Sequence, residues 1–166
     1  RRIVLASRPE GMVSPDNFRL ETAPTPRPNP GQVLVRQIVM SLDPYMRGRM
    51  NAVAGYAPNV EIDAVMIGGG VGEVVQSLHP DFAVGDIVEG TLGWQDYSVP
   101  PLQRLRKIEP KLAPISTANG VLGMPGMTAY FGLLHVGEPK PGETVVVSAA
   151  SGAVGAVVGQ IAKIMG

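Results

Sequence analysis

GETVVVSAASGAVGAVVGQIAKIMG, residues Gly142–Gly166, is the stretch that decides how this chain is read. Val145, Val146 and Val147 follow one another without alternation, which predicts a strand of a parallel sheet covered on both faces. The strand is expected to end at Ala149, with a helix running on from Ala153. Between them lies Ala150-x-Gly152-x-x-Gly155, a small-residue turn with alanine where a dinucleotide-binding fingerprint has its first glycine. Gly152 would let backbone approach a pyrophosphate, Gly155 and Gly159 would let the helix lie close to the sheet, and amides at the helix start attract anionic oxygens. The alternative is a tight strand-to-helix turn with no ligand. The residue that chooses between NAD and NADP is expected about 20 residues further on, after Gly166. A strand and helix this apolar need neighbours, so the parent protein is expected to be about twice this length, its dinucleotide domain needing on the order of 150 residues. The chain by itself is expected to bind little dinucleotide, and to self-associate through the unpaired strand.

Upstream of that stretch, MPGMTAYFGLLHVG (Met124–Gly137) has helical spacing. Pro125 suits the first turn, and Gly137 suits the left-handed position past the end. The pattern changes near Ala118, and the residues before it read as strands. QVLVRQIVMSL, AVMIGGGVGEVVQSL, GDIVEGTL and WQDYSV are short apolar runs rich in β-branched residues, with turn residues between them. RRIVLASRPEGM adds a further strand at Ile3–Ala6, an apolar run too short for a secretory signal core. The fold class expected is a mostly β N-terminal domain, residues 1–118, followed by the first βα unit of an α/β Rossmann domain, residues 119–166.

Charge and composition narrow the function. Lys plus Arg and Asp plus Glu balance at 14 each, without a run of one sign. That leaves no electrostatic footprint for nucleic acid or an anionic membrane and points to a small-molecule partner. The most apolar helix would reach only about 20 Å, short of a bilayer core of about 30 Å, and Gln160 and Lys163 interrupt it. Cysteine is absent, so there is neither a disulfide framework nor a thiolate metal ligand, and a reducing, cytoplasmic setting is expected.

Several blocks occur together and in order: LASRPEG, NFRLE, SLDPYMRGRM, GDIVEGTLGWQDY, GVLGMPGMTAYFGLL and AASGAVGAVVGQIAKIMG. On them the chain resembles the zinc-independent medium-chain dehydrogenase/reductases, within these the prostaglandin, alkenal and curcumin reductases. The resemblance implies a chaperonin-10-like, partly open barrel, then a Rossmann domain, with the nicotinamide of NADPH between them and a homodimer in the whole protein. Zinc alcohol dehydrogenases carry a cysteine and a Gly-His-Glu where this chain reads MSLD and IGGGVGEV. His79 and His135, the only histidines, are far apart in sequence, so a tetrahedral zinc site lacks donors.

Hydride transfer without a Lewis acid suits a carbon–carbon double bond conjugated to a carbonyl. Charge then develops on the carbonyl oxygen, and a tyrosine hydroxyl is a suitable donor to it. The resemblance places Tyr45 and Tyr56 beside the substrate as the catalytic pair. It implies cofactor contacts at Pro44, Met124, Thr128, Ser151, Gly152, Ala153, Val154 and Gly155. Asp43-Pro44 reads as a helix cap that would fix where Tyr45 and Met46 point. The plainer readings are wall packing for Tyr45, an ordinary loop residue for Tyr56, and helix packing for Met124 and Thr128. Arg47 and Arg49 read as a solvated basic face, Trp94 and Tyr97 as barrel packing, and His135 as a helix-end or surface residue. The activity expected is NADPH-dependent reduction of α,β-unsaturated ketones and aldehydes. A quinone reductase, or a non-catalytic nucleotide- or partner-binding homologue, is the rival.

Overall fold

The computed structural model describes every residue except Ala54 and Tyr56. The chain forms two compact units, Arg1–Pro110 and Lys111–Gly166.

Among the described residues the first unit is built from strands, two 3-10 turns (Pro15–Asn17 and Leu102–Arg104) and one short α-helix, α1 (Tyr45–Arg49). β1 (Arg2–Leu5) pairs antiparallel with β2 (Phe18–Glu21), so that Arg2 faces Glu21. β3 (Val33–Met40), β4 (Gly69–Ser77), β5 (Ile87–Thr91), β6 (Tyr97–Ser98) and β7 (Leu105–Lys107) form an antiparallel sheet in the order β6-β3-β4-β5-β7. Isolated bridges from Arg2 to Gln95 and from Val4 to Val65 tie the hairpin to the chain around that sheet. The β runs expected in this unit all fall on strands. In β3 the period of two breaks at a register shift between Leu34 and Val35, and Val33, Leu34 and Val35 are buried in succession. Such a bulge re-aims side chains while the ladder continues.

Two apolar clusters hold this unit. Val33, Val35, Val74, Val88, Leu92 and Leu105 make one; Leu5, Met50, Val60 and Met66 make the other. Trp94 packs on the second cluster and stacks on Phe18 with ring centroids 5.3 Å apart, the packing role its sequence context indicates. Gly72 in β4 lets the neighbouring strand approach. A Cβ there would stand 2.5 Å from the Arg36 carbonyl oxygen and 2.6 Å from Val35 Cγ1. Gly72→Ala is therefore expected to cost about 2 kcal/mol through overpacking, read as a lower urea midpoint with an unchanged slope.

The second unit holds a 3-10 turn at Ile115–Asn119, then α2 (Met124–Phe131) and α3 (Gly155–Ile164), which pack on each other. Pro125 sits in the first turn of α2 as expected. Three local expectations change. The end of α2 widens into a π-helix, Gly132–Gly137, and the Glu138 amide donates to the Leu133 carbonyl at 2.9 Å. The wider turn carries the chain one residue further, so Glu138 and not Gly137 is left-handed, with φ of 45°. Val145–Val147 form no strand and Val146 is 90% exposed. A parallel strand exists only through a ladder, and no described segment offers one. α3 begins at Gly155, after a turn, and a Cβ on Gly159 would meet nothing within 4 Å, so Gly159 does not lie against a sheet. No described helix is long and apolar enough to cross a membrane.

Candidate functional site

In the first unit the site is organised by α1. This helix follows Pro44, whose own φ of −56° and ψ of −32° are already helical. Proline presets this conformation because its ring restricts φ. Asp43 does not cap the helix through its side chain; its carbonyl accepts from the Met46 amide at 3.1 Å, and the Pro44 carbonyl accepts from Arg47 at 3.1 Å. The preset proline makes a side-chain cap unnecessary, and Asp43 supplies backbone only. Met46 is buried, and a Cβ on Gly68 would lie 3.2 Å from Met46 Cε and 3.0 Å from Trp94 Cδ1. Met46 thus anchors the inner face of α1. Tyr45, its first residue, is half-buried.

Two arginines lock this helix to the segment Arg8–Gly11. The Arg47 guanidinium is occupied, with Nε and Nη2 donating to the Gly11 carbonyl at 3.2 and 2.9 Å, Nη2 to the Pro9 carbonyl at 3.2 Å, and Nη1 to Asn51 Oδ1 at 2.6 Å. Arg47 is therefore no solvated basic face. Its fork matches spaced acceptors on the 8–11 segment and on the residues after α1. Arg8 reaches the other way. Its Nη1 donates to the carbonyls of Met50, Asn51 and Val60 at 3.0, 2.7 and 3.2 Å. The Asn59 amide nitrogen adds bonds to the carbonyls of Asn51 and Val53 at 2.7 and 2.9 Å. Tyr56 lies outside the described residues. Sequence reasoning missed Arg8, although it lies within the LASRPEG block; nothing local shows that its partners stand about forty residues on.

In the second unit, Met124 and Thr128 lie one helical turn apart, and Thr128 Oγ1 donates to the Met124 carbonyl at 2.8 Å. Met124 is 52% exposed, so it is not a buried packing residue within this unit. The turn before α3 has the form its glycines require. Ala149 is left-handed, with φ of 50°, and its carbonyl accepts from the Gly152 amide at 2.9 Å. A Cβ on Gly155 would collide with that same Ala149 carbonyl oxygen and stand 2.9 Å from Ala150 Cα. Gly155 is buried, whereas Ser151, Gly152, Ala153 and Val154 are exposed. The amides of Ala156, Val157 and Val158 donate to the carbonyls of Gly152 and Val154, which leaves those of Ala153, Val154 and Gly155 at this end of α3 for an anionic group. Pro44 and Tyr45 belong to one unit; Met124, Thr128 and Ser151–Gly155 belong to the other.

Residues 1–108 match the family model described as the N-terminal domain of oxidoreductase, and the whole chain is 55% identical to the NADPH-dependent curcumin reductase of Escherichia coli (strain K12), covering 48% of it. The chain belongs to the zinc-independent medium-chain dehydrogenase/reductases. Another relative is the NADP(+)-dependent 2-alkenal reductase of Nicotiana tabacum, 50% identical over 81% of this chain and 40% of its own length. Among solved structures, CurA from Vibrio vulnificus in complex with NADPH superposes with a TM-score of 0.93 at 49% identity, covering 98% of this chain and 48% of that one. The chain spans about half the length of these relatives.

Proposed function

We propose that the protein reduces the carbon–carbon double bond of α,β-unsaturated ketones and aldehydes with NADPH. The observation that carries the reading is α1 in the DPYMRGRM block, with Tyr45 at its first residue, in a chain 55% identical to a curcumin reductase. In this reading, residues 1–118 form the chaperonin-10-like catalytic domain and residues 119–166 the beginning of the NADP-binding domain.

The turn before α3 fits the pyrophosphate of the cofactor. Backbone is exposed at Ser151–Val154, and no side chain could replace the hydrogen at Gly155. Ala153, Val154 and Gly155 would hold it with backbone amides, Gly152 would let backbone approach it closely while its own amide stays on the Ala149 carbonyl, Ser151 would add its hydroxyl, and Pro44, Met124 and Thr128 would line its nicotinamide end. When bound, NADPH supplies hydride to the β-carbon of the substrate. Tyr45 donates a hydrogen bond to the carbonyl oxygen, where the charge of an enolate gathers, and Tyr56 shares the role or orients the substrate. No step needs a metal ion. A cytoplasmic homodimer is the form we propose for the whole protein.

The test uses the intact protein with NADPH and a panel of enones, enals and quinones, following NADPH consumption and the product. Formation of the saturated ketone or aldehyde is the expected result, undiminished after exhaustive chelation. Turnover on quinones alone, on none of the panel, or only after zinc is restored would overturn it.

A further inference from the structure

We infer that Arg8 and Arg47 form a reciprocal clasp that positions Tyr45 for reduction, making Arg8 a positioning residue of the reaction. The inference rests on the role proposed above for Tyr45. α1 has five residues, too few to be stable by its own hydrogen bonds. Its direction must be imposed from outside. Met46 and, at the C-cap, Met50 secure its inner side by burial, but apolar packing is non-directional and opposes rotation about the helix axis only weakly. The two arginines oppose it, because each crosses between the same two segments from opposite sides.

From α1, Arg47 grips the carbonyls of Pro9 and Gly11. From the 8–11 segment, Arg8 grips the carbonyls of Met50 and Asn51, where the last turn of α1 leaves acceptors unsatisfied. Arg8 also joins that end to Val60, whose own amide donates to the Arg49 carbonyl at 2.7 Å. The Arg8 side chain is only 26% exposed, and its nearest acid, Glu61, stands 3.7 Å away and is itself 82% exposed. The energy of Arg8 is therefore spent on backbone carbonyls and not on an ion pair in water. Four points of one backbone, at residues 9, 11, 50–51 and 60, are held by two guanidinium groups. A tilt of α1 would have to break the bonds of Arg47 at its middle and of Arg8 just past its C-terminal end, so the clasp fixes where its first residue presents a hydroxyl. Misplacement of a catalytic group by about 1 Å can cost about 100-fold in rate, which makes such a device consequential.

The test is a double-mutant cycle on the intact protein with NADPH and an enone. Arg8→Met is expected to lower kcat about tenfold, with the KM for NADPH unchanged, and Arg8→Lys to recover part of the loss because an ammonium still donates to carbonyls. In a Tyr45→Phe background, Arg8→Met is expected to cost less than about twofold, since there is no hydroxyl left to position. A merely structural arginine would lower the active fraction equally in both backgrounds. Equal losses there overturn the clasp and leave the role of Tyr45 standing; full turnover in Tyr45→Phe and in Tyr45→Phe with Tyr56→Phe overturns both. If Arg8→Met does not fold, Arg47→Lys, which cannot reproduce the fork, enters the same cycle with the same expected coupling.

Discussion

Tyr45→Phe is expected to lower kcat of the intact protein by about 100-fold while raising the KM for an enone by less than threefold, measured by steady-state kinetics at saturating NADPH. A donor aimed at an oxygen that becomes charged only in the transition state stabilises that state more than the bound substrate. Loss of one such donor in a water-excluded site is worth about 3 kcal/mol, which converts to the expected factor. The ring remains, so the packing around α1 persists and the change isolates the hydroxyl. If Tyr56 shares the carbonyl oxygen, the single change has a smaller effect and Tyr45→Phe with Tyr56→Phe restores the full loss. Unchanged kcat in both single variants and in the double variant would leave both tyrosines as structural residues.

Gly155→Val is expected to weaken NADPH binding at least about 100-fold, read by fluorescence or calorimetric titration of the intact protein, with far-UV circular dichroism retained. A Cβ at this position collides with the Ala149 carbonyl oxygen, and that carbonyl is the acceptor of the Gly152 amide. Relief of the collision displaces the start of α3 from the turn. The amides of residues 153–155, offered to the pyrophosphate in this reading, are then displaced, and several charge-assisted bonds of about 1.5–3 kcal/mol each weaken together. Binding retained within fivefold would show that this turn is not the pyrophosphate cradle. Because Ala149 occupies the left-handed region without being glycine, Ala149→Gly is a useful companion that should leave binding close to the parent value.

The strands of the first unit are readable from sequence because their cause is local. β-branched residues between turn residues in 32–42 and 64–78 mark β3 and β4 directly, although their burial does not alternate strictly: residues 33–35 and 70–72 are buried in succession. The start of α2 is readable for the same reason, since Pro125 restricts its own φ. The end of α2 is not. Gly137 is free to be left-handed, but the π-turn that carries the reversal to Glu138 depends on which carbonyl the Glu138 amide reaches. Val145–Val147 show the opposite failure. Their composition is that of a buried parallel strand, yet strand is a property of pairs of segments, and these three residues have no described partner.

The candidate site divides in the same way. Steric facts about single residues belong to the sequence: Pro44 presets α1, and the spacing of Gly152 and Gly155 suits a turn that backbone and helix can enter closely. These, with the order of the sequence blocks, were enough for family and fold class, because φ restriction, missing Cβ atoms and apolar periodicity act over a few residues. What only the tertiary structure decided is how Arg8 and Arg47 are used. Arg8 has no reading in the sequence beyond its block and Arg47 reads as part of a basic face until Arg8 is found on the carbonyls of Met50, Asn51 and Val60, and Arg47 on those of Pro9 and Gly11. A backbone carbonyl carries no residue identity, so no pattern of side chains announces it as an acceptor; only the fold, by bringing segments about forty residues apart to hydrogen-bonding distance, turns two arginines into the clasp around α1.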